Sequence, residues 1–277
     1  MELIKGKTAP EVWLAAAEYL AGLKANEDFD VILHMTEPTV LSEHDRRVYD
    51  EVDKFLKSHG AFSIHTVAET IFSLDEYQRT GAAGLYGEFP EKLRKIQKAR
   101  SDGNWGSYAY RILRQRDAKG TIFNPLKDMV SKIKKHGKYR ASFELGTGLP
   151  MEDEIQIYAP ATDRKRLYGG PCLSHLSIKV HAGQVRFNAT YRSHYYVRRL
   201  LGNLVGLGRL QFFLAHETGL KVGALTVNST FARLDTGSGD GSGGHWKKTD
   251  VKYLLRRCRA IYNEAVSAHK EEHNERA

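Results

Sequence analysis

Residues 171–193 read PCLSHLSIKVHAGQVRFNATYRS, and the way this stretch folds decides the rest. Leu173 to His181 and Gln184 to Tyr191 alternate as two strands, with Ala182-Gly183 between them as a two-residue turn. That turn pairs Val180 with Val185, Ile178 with Phe187 and Leu176 with Ala189. All three pairs are apolar and share a face, which supports the register. Continued outward, it sets Cys172 opposite Ser193 and beside Arg192. A thiol and a guanidinium thus meet at the open end of a hairpin, and a neighbouring Arg favours the nucleophilic thiolate. Strict alternation puts Cys172 and Arg192 on opposite faces, so aiming both at one ligand requires a bulge or a strand end there. Without such a partner, a lone Cys beside a strand is a small buried hydrophobe.

Outward from the hairpin, helices and strands mix without clean alternation, which predicts an α+β fold, a mixed sheet packed with several helices. Thr8-Ala-Pro-Glu is a capping box opening a helix over 9–25, with Val12, Trp13, Ala16, Leu20 and Leu23 as its apolar stripe. Phe29 to Met35 alternates as a strand. Ser42 caps a helix that stops at Gly60. Further helices are expected over about 65–79, after Pro90 and from Asn124-Pro125 to Gly137. Residues 139–145 and 154–158 read as strands. Residues 196–218 form a long buried helix ending at Gly219, whose Gly202, Gly206 and Gly208 permit close packing. A Gly/Ser-rich flexible loop at about 236–248 precedes a last helix capped by Thr249 or Asp250. The whole of 1–277 reads as one domain.

The net charge of +9 favours anionic partners such as phosphates, nucleotides or nucleic acid. Two cysteines, Cys172 and Cys258, make neither a disulfide framework nor a dense zinc site. No apolar run reaches membrane-spanning length and no signal segment opens the chain, so a cytoplasmic protein with reduced thiols and no membrane partner is expected.

Gly-Gly-Pro-Cys172, the hairpin, Tyr-Arg192-Ser193 and then Asn203 resemble the core of the thymidylate synthase superfamily. Cys172 and Arg192 are 20 residues apart, and Arg192 and Asn203 are 11 apart, as in that family's Pro-Cys nucleophile, Arg-Ser phosphate clamp and base-reading asparagine. The resemblance is best over about 170–235. It implies a thymidylate synthase-like fold and a homodimer binding a pyrimidine nucleotide. It also implies methylenetetrahydrofolate as one-carbon donor. Cys172 would add to C6, Asn203 would hold the base, and Arg192 with Ser193 would bind the phosphate. Val67-Ala68-Glu69-Thr70-Ile71-Phe72 resembles the helix whose glutamate manages protons around the base, so Glu69 becomes the acid/base, against an ordinary solvated helix glutamate. Arg140, in Lys138-Tyr139-Arg140, resembles one of two arginines that reach the dimer partner's phosphate, against a plain surface charge. Trp105 to Arg111 loosely resembles a segment whose tyrosine approaches the nucleophile, without separating Tyr108 from Tyr110; an aromatic core cluster is the competing reading.

The pattern also breaks. Arg233 and Asp235 stand where the family places a His and a Tyr on the 3′-hydroxyl, so they are either sugar contacts of another kind or a salt bridge. Tyr195 replaces the aspartate that helps hold folate, and the N-terminal Arg-Thr-Gly loop and the closing C-terminal tail are missing. The expectation is transfer of a methyl or hydroxymethyl group to C5, leaning to the hydroxymethylase branch. The alternatives are a non-catalytic nucleotide- or RNA-binding protein on the same scaffold and a nucleic-acid modification enzyme.

Overall fold

A computed structural model describes residues 1–99, 107–117, 119–137, 143–146, 171–236 and 246–274, with side chains omitted for 97–99 and 265–274. The hairpin forms at the expected register: Val180 pairs with Val185, Ile178 with Phe187 and Leu176 with Ala189. Ala182 and Gly183 both take positive φ, 49° and 72°, the geometry that matches the right-handed twist of the flanking strands.

The described strands are β1 (Glu2–Gly6), β2 (Glu27–Met35), β3 (Gln115–Arg116), β4 (Ile122–Phe123), β5 (Glu144–Gly146), β6 (Leu173–His181), β7 (Gln184–Tyr191), β8 (His194–Tyr195) and β9 (Lys221–Arg233). One mixed sheet runs β1-β2-β9-β7-β6-β5, with β8 beside β9, while β3 and β4 pair separately. β9 lies between β2 and β7, antiparallel to the first and parallel to the second. The described helices are α1 (Ala9–Gly22), α2 (Glu43–Ser58), α3 (Ile64–Glu69), α4 (Leu74–Tyr86), α5 (Phe89–Ala99), α6 (Tyr108–Leu113), α7 (Pro125–His136), a π-helical turn (Tyr196–Leu200) running into α8 (Leu201–Thr218), and α9 (Lys248–Asn274). The mixture of helices with one mixed sheet agrees with the expected class. Among the described residues no helix is long and apolar enough to cross a membrane.

Period-two alternation gives the sheet two unlike faces. Val31, Leu33 and Met35 of β2, Leu225 and Val227 of β9 and Phe187, Ala189 and Tyr191 of β7 are buried. α1 and α8 pack on these strands, contributing Trp13, Leu20, Leu204, Leu207 and Leu214 to the core. The other face carries His34, Thr226, Asn188, Ser177 and Glu144 in successive strands. α3 crosses α8 over the glycines anticipated for close packing: a Cβ at Gly202 would meet Val67 Cβ at 2.5 Å, and one at Gly206 would meet the Ala68 carbonyl oxygen at 2.9 Å.

Several boundaries differ from the sequence reading. The helix expected over 65–79 is two, because Ser73 leaves helical geometry (φ −80°, ψ 93°) and caps α4 through Glu76 N. α1 stops at Gly22, and the helix expected after Pro90 is the eleven-residue α5, which begins at Phe89. Neither Thr249 nor Asp250 is the cap of α9: the helix starts at Lys248, and the Asp250 carboxylate accepts from Lys247 N at 2.7 Å. The loop placed at 236–248 does not extend over Trp246, which is buried and donates to the Asp235 carbonyl at 2.7 Å. β1 and the 13-residue β9 were not anticipated. The strand expected at 154–158 lies outside the described residues, and of 139–145 the described part joins β5.

Candidate active site

The register changes where the chemistry was expected. Between Leu173 and His175 the pairing slips, so that His175 faces Thr190 but Leu173 faces Tyr191. Ser174 is the extra residue, its hydroxyl donating to the Thr190 carbonyl at 3.0 Å. Beyond this bulge Arg192 N donates to the Cys172 carbonyl at 2.9 Å. Cys172 therefore lies opposite Arg192, not Ser193. Directly opposed residues share a face, so the bulge removes the opposition that strict alternation imposed. Arg192 Nε in turn donates to the Pro171 carbonyl at 2.9 Å, drawing the guanidinium back along the Cys172 strand.

Tyr108 fixes the other side of the thiol. Its buried hydroxyl accepts from Cys172 N at 2.9 Å and from Leu173 N at 3.0 Å. This separates Tyr108 from Tyr110. Ser107 caps the α6 turn through Tyr110 N, and Ala109 N donates to the Thr70 carbonyl at 2.8 Å, tying Tyr108 to the end of α3. Burial raises the Tyr108 hydroxyl well above its ordinary range, with the Cys172 charge adding to it, so the phenol stays protonated.

Cys172 is half-buried. Burial pushes its thiol up, and the positive charges of Arg192 and Arg199 pull it part of the way back. At neutral pH the resting group is a thiol beside two cations that favour its ionised form. Cys258 is fully buried, its thiol pushed up to about 12 chiefly by burial, which suits an inert core position.

Arg199 was not anticipated from sequence. It sits in the π-helical turn, its guanidinium 5.4 Å from the Phe62 ring centre. Burial, then the charge of neighbouring Arg198, lowers its pKa, while Tyr108 and Cys172 act in the opposite direction. Single π turns inside helices concentrate at functional sites. This one is pinned by Trp13 Nε1, which donates to the Tyr196 carbonyl at 2.7 Å.

Asn203 lies in the first turn of α8 and is buried. Its Nδ2 meets His194 Nε2 at 3.0 Å, a partner the sequence reading missed. Ser193 is half-buried directly after Arg192. Glu69 ends α3, but its carboxylate is engaged: it accepts from Ser73 Oγ at 2.5 Å, Leu74 N at 3.1 Å and Arg209 Nη1 at 2.8 Å. Glu69 thereby caps α4 and braces α3 against α8. His65, Glu69 and Asp75 converge closely enough to be candidate metal ligands. The Arg209 guanidinium lies against His65 and Glu69, supplying the positive charge that such a group would otherwise attract.

Arg233 and Asp235 do not form one pair. Arg233 Nε lies 3.7 Å from Glu27, its cross-strand neighbour. Asp235 is fully buried and accepts from Val197 N at 2.7 Å, Arg198 N at 3.3 Å and Arg198 Nε at 3.0 Å. Its carboxylate thus satisfies the orphan amides that open the π turn. Burial raises its pKa in spite of these donors. Arg140 lies outside the described residues.

No known family model matches this chain, and no curated protein matches it.

The site is assembled by short links. Tyr108 holds Cys172, Cys172 opposes Arg192, and Arg199 reaches both Cys172 and Tyr108 electrostatically. Asn203 follows on the same helical run, beside the Gly202 contact with α3. Chemically this is a thiol with two neighbouring guanidinium groups: a nucleophile and sites for an anion. Asn203 follows four residues after Arg199 in the chain, and its own side-chain contact is with His194.

Proposed function

We propose that the protein binds a pyrimidine nucleoside monophosphate on a thymidylate synthase-like scaffold and activates C5 for receipt of a one-carbon unit. The observation that carries the reading is the bulge at Ser174, which turns Cys172 and Arg192 to one side of the hairpin. Arg192, Arg199 and Ser193 would engage the phosphate, with the guanidinium groups forking onto its oxygens. Asn203 would hold the base. C5 of a uracil or cytosine is a weak nucleophile. Addition of the Cys172 thiolate to C6 forms an S–C6 bond and moves the C5–C6 π electrons to C5, delocalised onto O4 of uracil or N3 of cytosine. C5 then takes up an electrophile and loses its hydrogen, and expulsion of the thiolate restores the ring.

Methylenetetrahydrofolate is the donor that the family resemblance implies. The residues do not fit its usual anchor: Tyr195 stands in place of the carboxylate, with the Arg198 guanidinium 5.3 Å from its ring centre. The unit received at C5 is a methyl or a hydroxymethyl group. A homodimer is also proposed, the polar sheet face bearing His34, Thr226 and Asn188 serving as the contact with a second copy.

The second reading is a binding protein without catalysis, favoured by a resting thiol that burial holds protonated and by the +9 charge. Both readings require a nucleotide site. A thermal-shift panel of pyrimidine and purine mononucleotides tests it, because a ligand of the folded state raises the melting temperature. Pyrimidine monophosphates should stabilise the protein more than their nucleosides, and Arg192→Ala should remove the difference. A panel without any pyrimidine response would refute the proposal.

A further inference from the structure

Behind Asn203 lies a buried chain of polar side chains that the reaction above does not use. The His194 ring stacks on Tyr191, with centroids 4.0 Å apart and planes 7° apart, and meets Tyr196 edge-on at 5.7 Å. Its Nδ1 lies 3.0 Å from Ser229 Oγ, which also accepts from the Tyr196 hydroxyl at 3.2 Å. Its Nε2 faces Asn203 Nδ2 at 3.0 Å. His194 and Ser229 are buried, and Tyr191 and Tyr196 wall the ring off from solvent.

Burial pushes His194 down to about 3, so the imidazole is neutral at physiological pH and carries a single N–H. An amide nitrogen is a donor only. Set against Nε2, it requires Nε2 to be the bare nitrogen, which places the proton on Nδ1, directed at Ser229. Asn203 can turn its amide over only if that proton moves to Nε2 and the Ser229 hydroxyl turns to donate to Nδ1. Reversed without that shift, Oδ1 would face the Nε2 lone pair, two acceptors in a desolvated site.

We infer that His194 is a positioning residue that locks the Asn203 amide in one orientation and thereby makes the site choose between uracil and cytosine. The inference rests on the nucleotide reading of the site. Uracil presents a donor at N3 and an acceptor at O4, whereas cytosine presents an acceptor at N3 and a donor at N4. A base anchored by its phosphate offers the same edge in the same place, so one amide orientation matches only one of the two orders. The other base sets donor against donor and acceptor against acceptor. In a buried site that discriminates by about 10-fold or more.

Two measurements test this. Nitrogen-15 NMR on the ligand-free wild-type protein should show His194 protonated at Nδ1 and bare at Nε2. Calorimetric titration with the 5′-monophosphates of uridine, cytidine and their 2′-deoxy forms should show one base preferred by about 10-fold or more. Ser229→Ala removes the partner of Nδ1–H, so that tautomer loses its hydrogen bond and the reversed pair, Nε2–H donating to Asn203 Oδ1, becomes competitive. It should bring the ratio of the two dissociation constants toward parity, while a residue with a merely structural role would weaken both bases alike. A protonated Nε2 in the wild type, no base preference, or an unchanged ratio in Ser229→Ala overturns the inference and leaves the nucleotide reading standing. A wild-type protein that binds neither base overturns the nucleotide reading and the inference with it.

Discussion

Replacing Tyr108 by Phe removes one oxygen and nothing else from the site, and the cost can be worked from its bonds. The hydroxyl accepts two backbone donors, Cys172 N and Leu173 N. Phe keeps the ring and opens no ring-sized cavity, so the packing contribution is unchanged. Leu173 is fully buried, and losing the bond its N–H makes to this hydroxyl should cost about 1–3 kcal/mol. Cys172 is half-buried, and its N–H can be rehydrated, so its loss adds about 0.5–1.5 kcal/mol. Together the variant should be destabilised by about 2–4 kcal/mol. Urea unfolding followed by tryptophan fluorescence measures the total. Native-state amide exchange locates it, with the protection of residues 172 and 173 falling most. A loss under about 0.5 kcal/mol, with exchange at both amides unchanged, would refute the claim that Tyr108 holds the nucleophile's backbone.

Iodoacetamide alkylation of Cys172, followed by peptide mass spectrometry against pH, should show a midpoint above the ordinary thiol range, because burial outweighs the two arginines. Removing a cation disfavours the thiolate, so Arg192→Gln should move the midpoint higher and slow alkylation at pH 8; an unmoved profile would separate the guanidinium from the sulfur. Cys258 should stay unreactive in the folded protein. Asp235→Ala strands the Arg198 guanidinium and the Val197 amide, and should cost about 3–5 kcal/mol of stability by urea unfolding. A loss below about 1 kcal/mol would show that Asp235 does not secure the π turn.

The hairpin was legible because turn chemistry and a period-two pattern agree over 173–191, and both are local. The bulge was not. Ser174 is a polar residue on an exposed strand position, and nothing local marks it as the extra one. Sequence thus placed Cys172 one residue out of register with the partner that matters. β9 was missed because its apolar run of Leu225, Val227 and Phe231 is broken by Ser229, whose burial makes sense only once His194 and Tyr196 are beside it. The split between α3 and α4 did carry a signal, Ser73 followed by Asp75 and Glu76, which an apolar stripe continuing through it concealed. Arg199 and His194 acquire their surroundings from tertiary packing: a buried strand for the histidine, and α6 together with the Cys172 strand for the arginine. Glu69 shows the opposite case. Its helical setting was legible, although one helix was read where two stand, yet its carboxylate is bound to Ser73, Leu74 and Arg209, partners a motif does not reveal.

The most direct measurement is release of tritium into water from 5-tritiated uridine and cytidine 5′-monophosphates and their deoxy forms, without any added carbon donor. Reversible addition of the thiol at C6 predicts exchange with the wild-type protein and none with Cys172→Ala that still binds nucleotide. Bound nucleotide with its tritium retained in the wild type, or equal release from Cys172→Ala, would contradict covalent activation by this cysteine.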